Sequence, residues 1–96
     1  MIFEGDTELT RSEIGLYLQF SSLSKKNIVI NKKNTSITLE PVFWQGLQEI
    51  SQHYDCTVSN LCQWIKDKKH PDAPLTSAIR VFVTSHYKMS FEGKID

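Results

Sequence analysis

The chain has 96 residues, which is the size of a single domain, and its hydrophobic content of 40% is too high for a chain that stays unfolded. It contains no apolar run of about 18 residues, so the sequence predicts no membrane span. The acidic start MIFEGDTEL lacks the features of a secretory signal. These observations favour a cytoplasmic protein, in which Cys56 and Cys62 are reduced packing residues.

The net charge is zero, but the charges are unevenly distributed along the chain. Residues 1–24 carry four acidic side chains against Arg11, which gives −3. Residues 25–88 carry nine basic side chains against five acidic ones, which gives +4, and two copies of this part would carry +8. A basic surface of this kind indicates a polyanionic partner.

The N-terminal segment 1–24 is predicted to be an accessory element that is helical in part. Thr10 and Glu13 form the T-x-x-E pattern of a capping box, in which two side chains satisfy free backbone amides at the start of a helix. The apolar residues that follow are partly alternating, so a strand is the alternative for this segment.

One strand is predicted from its periodicity. Residues 35–40 alternate apolar and polar side chains with the period of two that is typical of a strand. Before them, residues 31–34 are turn-like, and residues 28–30 form a short β-prone run that fits either an arm or a first strand. No second strand of similar quality is visible in the sequence.

Three helices are predicted after the strand. Helix A, residues 41–54, begins at a proline, whose missing N–H suits the first helical position. Helix B, residues 57–67, has Thr57 as its N-cap. Helix C covers residues 75–87, and each helix places its apolar residues along one face.

The single predicted strand needs a hydrogen-bonding partner, because buried backbone amides and carbonyls are almost always paired. An identical strand from a second copy can supply that partner by antiparallel pairing across a two-fold axis. The predicted fold is therefore mainly α with one short strand, and the predicted assembly is an intertwined homodimer with an intermolecular antiparallel two-stranded β-ribbon. The dimer core is expected to contain Ile37, Leu39, Phe43, Trp44, Leu47, Ile50, Leu61 and Ile65.

The order of strand, helix, short turn and helix resembles the ribbon-helix-helix family of Arc- and MetJ-like bacterial DNA-binding proteins. The run TSITLEPVFWQGLQEI, the turn TVSNL and the segment LTSAIRVFVTSHY are similar to a subfamily with an appended third helix. The resemblance covers about residues 26–88 and implies a domain at 25–88 followed by a tail at 89–96. Residues 1–24 lie outside it.

The resemblance implies a transcriptional regulator, expected to be a repressor on the bacterial nucleoid, whose β-ribbon enters the major groove of double-stranded DNA. The implied base-contacting side chains are Lys32, Asn34, Ser36 and Thr38. The expected phosphate contacts come from lysines beside the ribbon and from the start of helix B, namely Lys25, Lys26, Lys33, Thr57, Val58 and Ser59.

Glu40 departs from what a DNA-binding ribbon requires, because its carboxylate repels phosphate. Its negative charge is expected to interact favourably with the positive end of the helix dipole at the start of helix A, rather than to accept a hydrogen bond from cytosine. The base-contacting side chains are few and include no arginine. The protein is therefore expected to discriminate modestly between DNA sequences or to depend on DNA shape.

A second interpretation is a protein-interaction module, such as an antitoxin-type dimer in which helix C docks a partner protein. The sequence predicts no enzyme and no cofactor, since it contains no glycine-rich phosphate loop and no nucleophile motif. It also predicts no metal site, because His53, Cys56, Cys62 and His70 lack the spacing of a structural zinc site.

Overall fold

The computed structural model of the chain describes residues 10–18 and 22–93. Its elements in chain order are α1 (Arg11–Leu18), β1 (Ser24–Ile30), β2 (Lys33–Leu39), α2 (Pro41–His53), α3 (Val58–Lys68) and α4 (Leu75–Phe91). Within these residues, no helix is both long and apolar enough to cross a bilayer. The predicted helices A, B and C correspond to α2, α3 and α4, and α4 continues to Phe91 into the segment predicted to be a tail.

The N-terminal capping box forms as predicted. The amide of Thr10 donates to Oε1 of Glu13, and the amide of Glu13 donates to Oγ1 of Thr10, both at 3.1 Å. The predicted helix, and not the strand alternative, is therefore correct for residues 11–18. Residues 1–9 and 19–21 of the predicted accessory segment, and 94–96 of the predicted tail, lie outside the described residues.

The two strands form an antiparallel hairpin within the chain, which corrects the prediction of one strand paired only with a second copy. β1 pairs with β2 from Ser24 opposite Leu39 to Ile30 opposite Lys33. The connecting residues Asn31 and Lys32 have positive φ angles of 52° and 64°, as a two-residue type I′ turn requires. The strongest sequence signals for this turn are Asn-Gly and Asp-Gly, so a lysine in the second position conceals the hairpin.

The hairpin has one buried face and one exposed face. Ile28, Ile30, Ile37 and Leu39 are buried beneath the helices. Side chains on successive strand residues point to opposite sides of a sheet, so the residues that alternate with these four form the other side. This outer face consists of Lys25, Asn27, Val29, Asn34, Ser36 and Thr38.

The predicted core residues come together within a single chain. Seven of them are buried in one apolar cluster, and the eighth, Phe43, is half-buried against it. The cluster also includes Ile79 and Val83 of α4, so the third helix is part of the core. Whether these residues also belong to a dimer core stays a prediction.

The close approach of α2 to α4 at Gly46 predicts a stability change. A Cβ at Gly46 would lie 2.6 Å from Cγ1 of Val83 and 3.4 Å from Cε2 of Tyr87. Val83 is buried and its χ1 angle is stiff in a helix, so it has little room to move aside. We expect Gly46→Ala to lower the free energy of unfolding by about 1 kcal/mol, because overpacking outweighs the gain in helix propensity.

Urea unfolding of the two matched glycine variants measures this effect. Gly15 of α1 is the control, since nothing lies within 4 Å of a Cβ built there. Gly15→Ala is expected to leave the unfolding midpoint unchanged or raise it slightly. A Gly46→Ala protein as stable as the original chain would show that α2 and α4 separate at little cost.

Candidate nucleic-acid interface

The outer face of the hairpin is a small polar surface without a carboxylate. Across it, Lys25 lies opposite Thr38, Asn27 opposite Ser36, and Val29 opposite Asn34. All six side chains are exposed except that of Thr38, which is half-buried. The surface therefore combines amide and hydroxyl groups, a cation and the aliphatic side chain of Val29, which are the groups that read base edges.

One hydrogen bond orders the centre of this face. Oγ of Ser36 donates to Oδ1 of Asn27 at 3.1 Å. The bond directs the amide oxygen of Asn27 toward the neighbouring strand and leaves its amide nitrogen available as a donor. Cross-strand polar pairs of this kind also stabilise the sheet.

The β1 edge of the hairpin is covered by α3. The amide of Val29 donates to Oγ of Ser59 at 3.0 Å, and the amide of Asn31 donates to Oε1 of Gln63 at 2.7 Å. These two side chains take the place of a neighbouring strand. A further strand therefore cannot pair with this part of β1 without displacing α3.

The β2 edge is left open by the residues that the structure describes. Since the Val29 amide points away from β2, the Val29–Asn34 pair is of the non-hydrogen-bonded type. Hydrogen-bonded and non-hydrogen-bonded pairs alternate along an antiparallel ladder, so the backbone amides and carbonyls of Asn34, Ser36 and Thr38 all point away from β1. Within residues 10–18 and 22–93, nothing donates to or accepts from these edge groups. An uncovered edge of this kind is a template for a strand from another chain.

The start of α3 is a capping box built on Thr57. Oγ1 of Thr57 accepts from the amide of Asn60 at 3.0 Å, and Oδ1 of Asn60 accepts from the amide of Thr57 at 3.5 Å. The predicted N-cap is therefore correct. The hydroxyl of Ser59 accepts from β1, so it has a structural role that the sequence did not indicate. The amides of Val58 and Ser59 remain at the positive end of the helix.

A shallow depression joins the start of α3 to β1. It has a volume of about 320 Å³, and its lining includes Lys26, Asn27, Thr57, Val58 and Ser59. Several residues that the sequence predicted separately as phosphate contacts thus meet at one place. An ammonium group beside the amino end of a helix is a suitable setting for an anion.

The predicted DNA-contacting lysines lie on different surfaces. Lys25 is on the outer face, whereas Lys26 and Lys33 have the parity of the other face and Lys32 lies in the turn. Nζ of Lys26 lies 5.6 Å from the centre of the Trp44 ring, a cation–π arrangement. Of the four, only Lys25 shares a surface with the polar strand residues.

Glu40 is tied to α4 and lies off the outer face. Its Oε1 accepts a hydrogen bond from Nε of Arg80 at 2.9 Å, and Arg80 also lies over the ring of Phe43. The hydrogen bond from Arg80 lowers the pKa of the Glu40 carboxyl. The structural role predicted for Glu40 at the start of α2 fits this position, but nothing in the sequence indicates Arg80, 40 positions later, as its partner.

The Glu40–Arg80 pair predicts how stability responds to acid. When folding lowers the pKa of a carboxyl group, the ionised group stabilises the protein at pH values above its ordinary pKa, which is 4.5 for Glu40. This contribution is lost as the pH falls through the lowered pKa. We expect Glu40→Gln and Arg80→Met each to reduce the loss of stability below pH 4.5. Urea midpoints at neutral and acidic pH measure this, and parallel pH profiles for the variants and the original chain would contradict it.

Sequence reasoning missed Asn27 and Val29 as members of the outer face. The signal was present in β1, where Ile28 and Ile30 are two residues apart and therefore share the buried face. It was not decisive, because a run of only three apolar residues between lysines fits an arm equally well. The open β2 edge had no local signal at all.

The cysteines are consistent with the predicted packing role. Cys62 is completely buried, Cys56 is half-buried, and neither forms a disulfide. Burial raises the pKa of the Cys62 thiol to about 11, so this thiol stays protonated and unreactive at neutral pH. Among the described residues, no three histidine, cysteine or acidic side chains come together as a metal site would require.

A polar antiparallel ribbon followed by two packed helices resembles the DNA-binding proteins that read the grooves of DNA with β-strands. The sequence profile of the Ribbon-helix-helix domain family matches residues 23–87, and the chain belongs to this family. The mainly helical ribbon-helix-helix fold predicted from the resemblance is thereby confirmed, with the added strand β1 as the correction, whereas the intertwined homodimer stays a prediction. The family is one of DNA-binding regulators.

One solved structure has the same fold. It is an uncharacterized protein from Bordetella pertussis Tohama I, which superposes with a TM-score of 0.73 at 22% sequence identity. The alignment covers 90% of this chain and 75% of that chain. At this level of identity the likeness establishes the fold alone. A comparison with curated proteins found no match.

Proposed function

We propose that the protein is a homodimeric, sequence-specific DNA-binding regulator that represses transcription by inserting its β-ribbon into the major groove of an operator. The observation that carries this proposal is the open edge of β2 next to a polar, carboxylate-free outer face. Membership of the ribbon-helix-helix family supports it, because that family binds DNA and forms dimers.

The dimer forms by antiparallel pairing of two β2 strands across a two-fold axis. Each copy already has β1 on the other side of β2, so the product is a four-stranded sheet in the order β1, β2, β2, β1. This extends the predicted two-stranded intermolecular ribbon by one flanking strand on each side. The two outer faces become continuous, and the two central strands are narrow enough for a groove about 12 Å wide.

The central strands supply the base contacts. The amide of Asn34 can bond N6 and N7 of adenine, and the hydroxyls of Ser36 and Thr38 can donate to or accept from base edges. Asn27 adds a donor from the flanking strand, and Val29 offers methyl groups to the methyl group of thymine. Two-fold symmetry then requires an operator with two similar half-sites.

Phosphate contacts surround this base-reading centre. Thr57, the Val58 and Ser59 amides and Lys26 share the depression at the start of α3, where a phosphate oxygen would meet amide donors and a cation. Lys25 lies at one end of the outer face, and Lys32 and Lys33 lie at the hairpin turn. These lysines account for the excess of positive charge between residues 25 and 88.

Solution mass and DNA affinity across a salt series test the proposal. The original chain is expected to be a dimer whose affinity for random duplex DNA falls linearly with salt on logarithmic axes. Replacing both Ser36 and Thr38 with alanine is expected to weaken binding to a selected operator while the dimer persists. A dimer that binds no DNA at low salt contradicts the proposal.

Lys25→Ala gives a separate, quantitative prediction. If each copy places Lys25 on a phosphate, the salt dependence of the dimer becomes shallower by about 2, with affinity reduced on all sequences alike. Lys88→Ala is the matched control, since it removes a lysine from α4 instead of from the sheet. An unchanged salt slope for Lys25→Ala would place this side chain away from the phosphates.

The alternative is a protein-interaction module in which the dimer serves a partner protein and the outer face is idle. The exposed apolar residues of α4, which include Val81, Met89 and Phe91, favour it. Solution mass and DNA affinity across a salt series distinguish the two functions. A stable dimer that binds no DNA at low salt supports the interaction module.

A further inference from the structure

We infer that α1 of one copy docks in the apolar groove between α3 and α4 of a second copy, so that the two N-terminal helices are exchanged within the dimer. This inference rests on the β2 pairing of the proposed function. It gives residues 10–18, which lie outside the family match, a role in assembly.

The helix α1 requires a packing partner that residues 10–18 and 22–93 of its own chain do not provide. It has eight residues and buries none of them. Ile14, Tyr17 and Leu18 are 44%, 62% and 59% exposed, and their spacing of i, i+3 and i+4 places them on one side of the helix. Isolated helices shorter than about 12–15 residues are marginal in water, so α1 depends on burying this apolar stripe.

The groove between α3 and α4 has the complementary character. It has a volume of about 540 Å³ and a lining that is largely aromatic and aliphatic. Trp64 is 52% exposed, which is unusual for the largest apolar side chain of a small domain. The lining consists of Tyr54, Leu61, Trp64, Ile65, Lys68, Phe82 and His86. An amphipathic helix with anchors at i, i+3 and i+4 is a common occupant of such a groove.

The N-terminal segment that contains α1 and the carboxyl end of α3 carry opposite charges. Lys66, Lys68 and Lys69 lie at the carboxyl end of α3, and Lys68 lines the groove itself. Within the described part of the chain, Lys66 and Lys68 form no ion pair. The N-terminal segment 1–24 carries −3, which comes from Glu4, Asp6 and Glu8, because Arg11 and Glu13 of α1 cancel. Opposite charges favour this pairing over docking of the basic surface against a second basic surface.

The position of the groove favours the α1 of a second copy. α3 runs alongside β1, with Ser59 at Val29 and Gln63 at Asn31, so the groove lies toward the hairpin turn. From Ser24 to the level of Asn31 the strand rises about 23 Å. The six residue steps from Leu18 to Ser24 span at most about 20–22 Å, so even a fully extended connection would not bring Leu18 of the chain's own α1 to that level.

The symmetry of the proposed dimer removes this difficulty. Because the two β2 strands run antiparallel, the start of β1 in the second copy lies at the same end of the sheet as the hairpin turn of the first. Its α1 therefore leaves the sheet at the end where the lysine-rich end of the groove lies, about 14 Å across the sheet from β1 of the first copy, a distance that six residue steps can span. The two reciprocal docking events would bury both apolar stripes and both grooves.

Photocrosslinking in the full-length chain tests the exchange. The crosslinker p-benzoylphenylalanine is placed at position 17, within the stripe, or at position 16, on the opposite side of α1, and light and isotopically heavy copies are mixed. The expected result is a light–heavy crosslink from position 17 to α3 or α4, with a yield several-fold higher than from position 16. Crosslinks within one copy, equal yields at both positions, or no crosslink to the groove in an intact dimer would overturn the inference.

Dissociation of the dimer provides a second readout. Replacing Ile14, Tyr17 and Leu18 together with serine leaves the fold of each copy intact, because none of them is buried on its own chain. The dimer dissociation constant is expected to rise several-fold, whereas Leu16→Ser leaves it unchanged. An unchanged constant for the triple variant contradicts the exchange but not the β2 pairing; a monomeric original chain contradicts the proposed function itself.

Discussion

Replacing Ser36 with proline is expected to convert the dimer into a monomer and to abolish DNA binding, with the fold of each copy retained. Ser36 is the middle residue of β2, and its amide points away from β1 toward the open edge. Proline removes that donor and places its ring where the second strand would lie, but it takes no bond from the hairpin ladder. Apart from the loss of the Ser36–Asn27 side-chain hydrogen bond, the change therefore acts on the intermolecular pairing.

Asn27→Pro is the matched control for this prediction. Asn27 lies directly opposite Ser36 in the same pair, so both substitutions remove the same side-chain hydrogen bond and introduce the same backbone restriction. The Asn27 amide, however, points toward the edge that α3 covers. Sedimentation equilibrium measures the mass and circular dichroism checks the fold. A dimeric Ser36→Pro protein that still binds DNA would require a dimer interface elsewhere.

Asn34→Ala is expected to produce the largest loss of sequence discrimination. Asn34 is exposed on the outer face and lies on a central strand of the proposed sheet. A bidentate amide–adenine contact contributes about 1–3 kcal/mol, and a dimer makes it twice, so the loss on an operator is about 2–6 kcal/mol. Affinity for random DNA should change little, because the side chain contacts no phosphate.

The measurement compares an operator selected from random duplexes with unselected DNA at one salt concentration. Gln52→Ala is the control, since it removes an exposed amide from α2 without touching the outer face. It should leave both affinities unchanged. An equal loss for Asn34→Ala on selected and random DNA would mean that Asn34 does not read bases.

Local patterns in the sequence were sufficient for most of the secondary structure. The T-x-x-E box predicted the start of α1, Pro41 and Thr57 marked the starts of α2 and α3, and period two identified β2. Parity along β2 also placed Asn34, Ser36 and Thr38 together on one face. These predictions depend on neighbours within a few positions, where backbone geometry alone decides which side chains share a face.

The features that give this ribbon its partner and its shape depend on contacts between distant residues. The covering of the β1 edge by Ser59 and Gln63 and the Glu40–Arg80 pair have no local pattern. Each depends on how elements far apart in the chain pack. Helical and strand periodicity therefore identified the parts and their polar sides, whereas packing between those parts decided that one edge of the hairpin is covered and the other is left open.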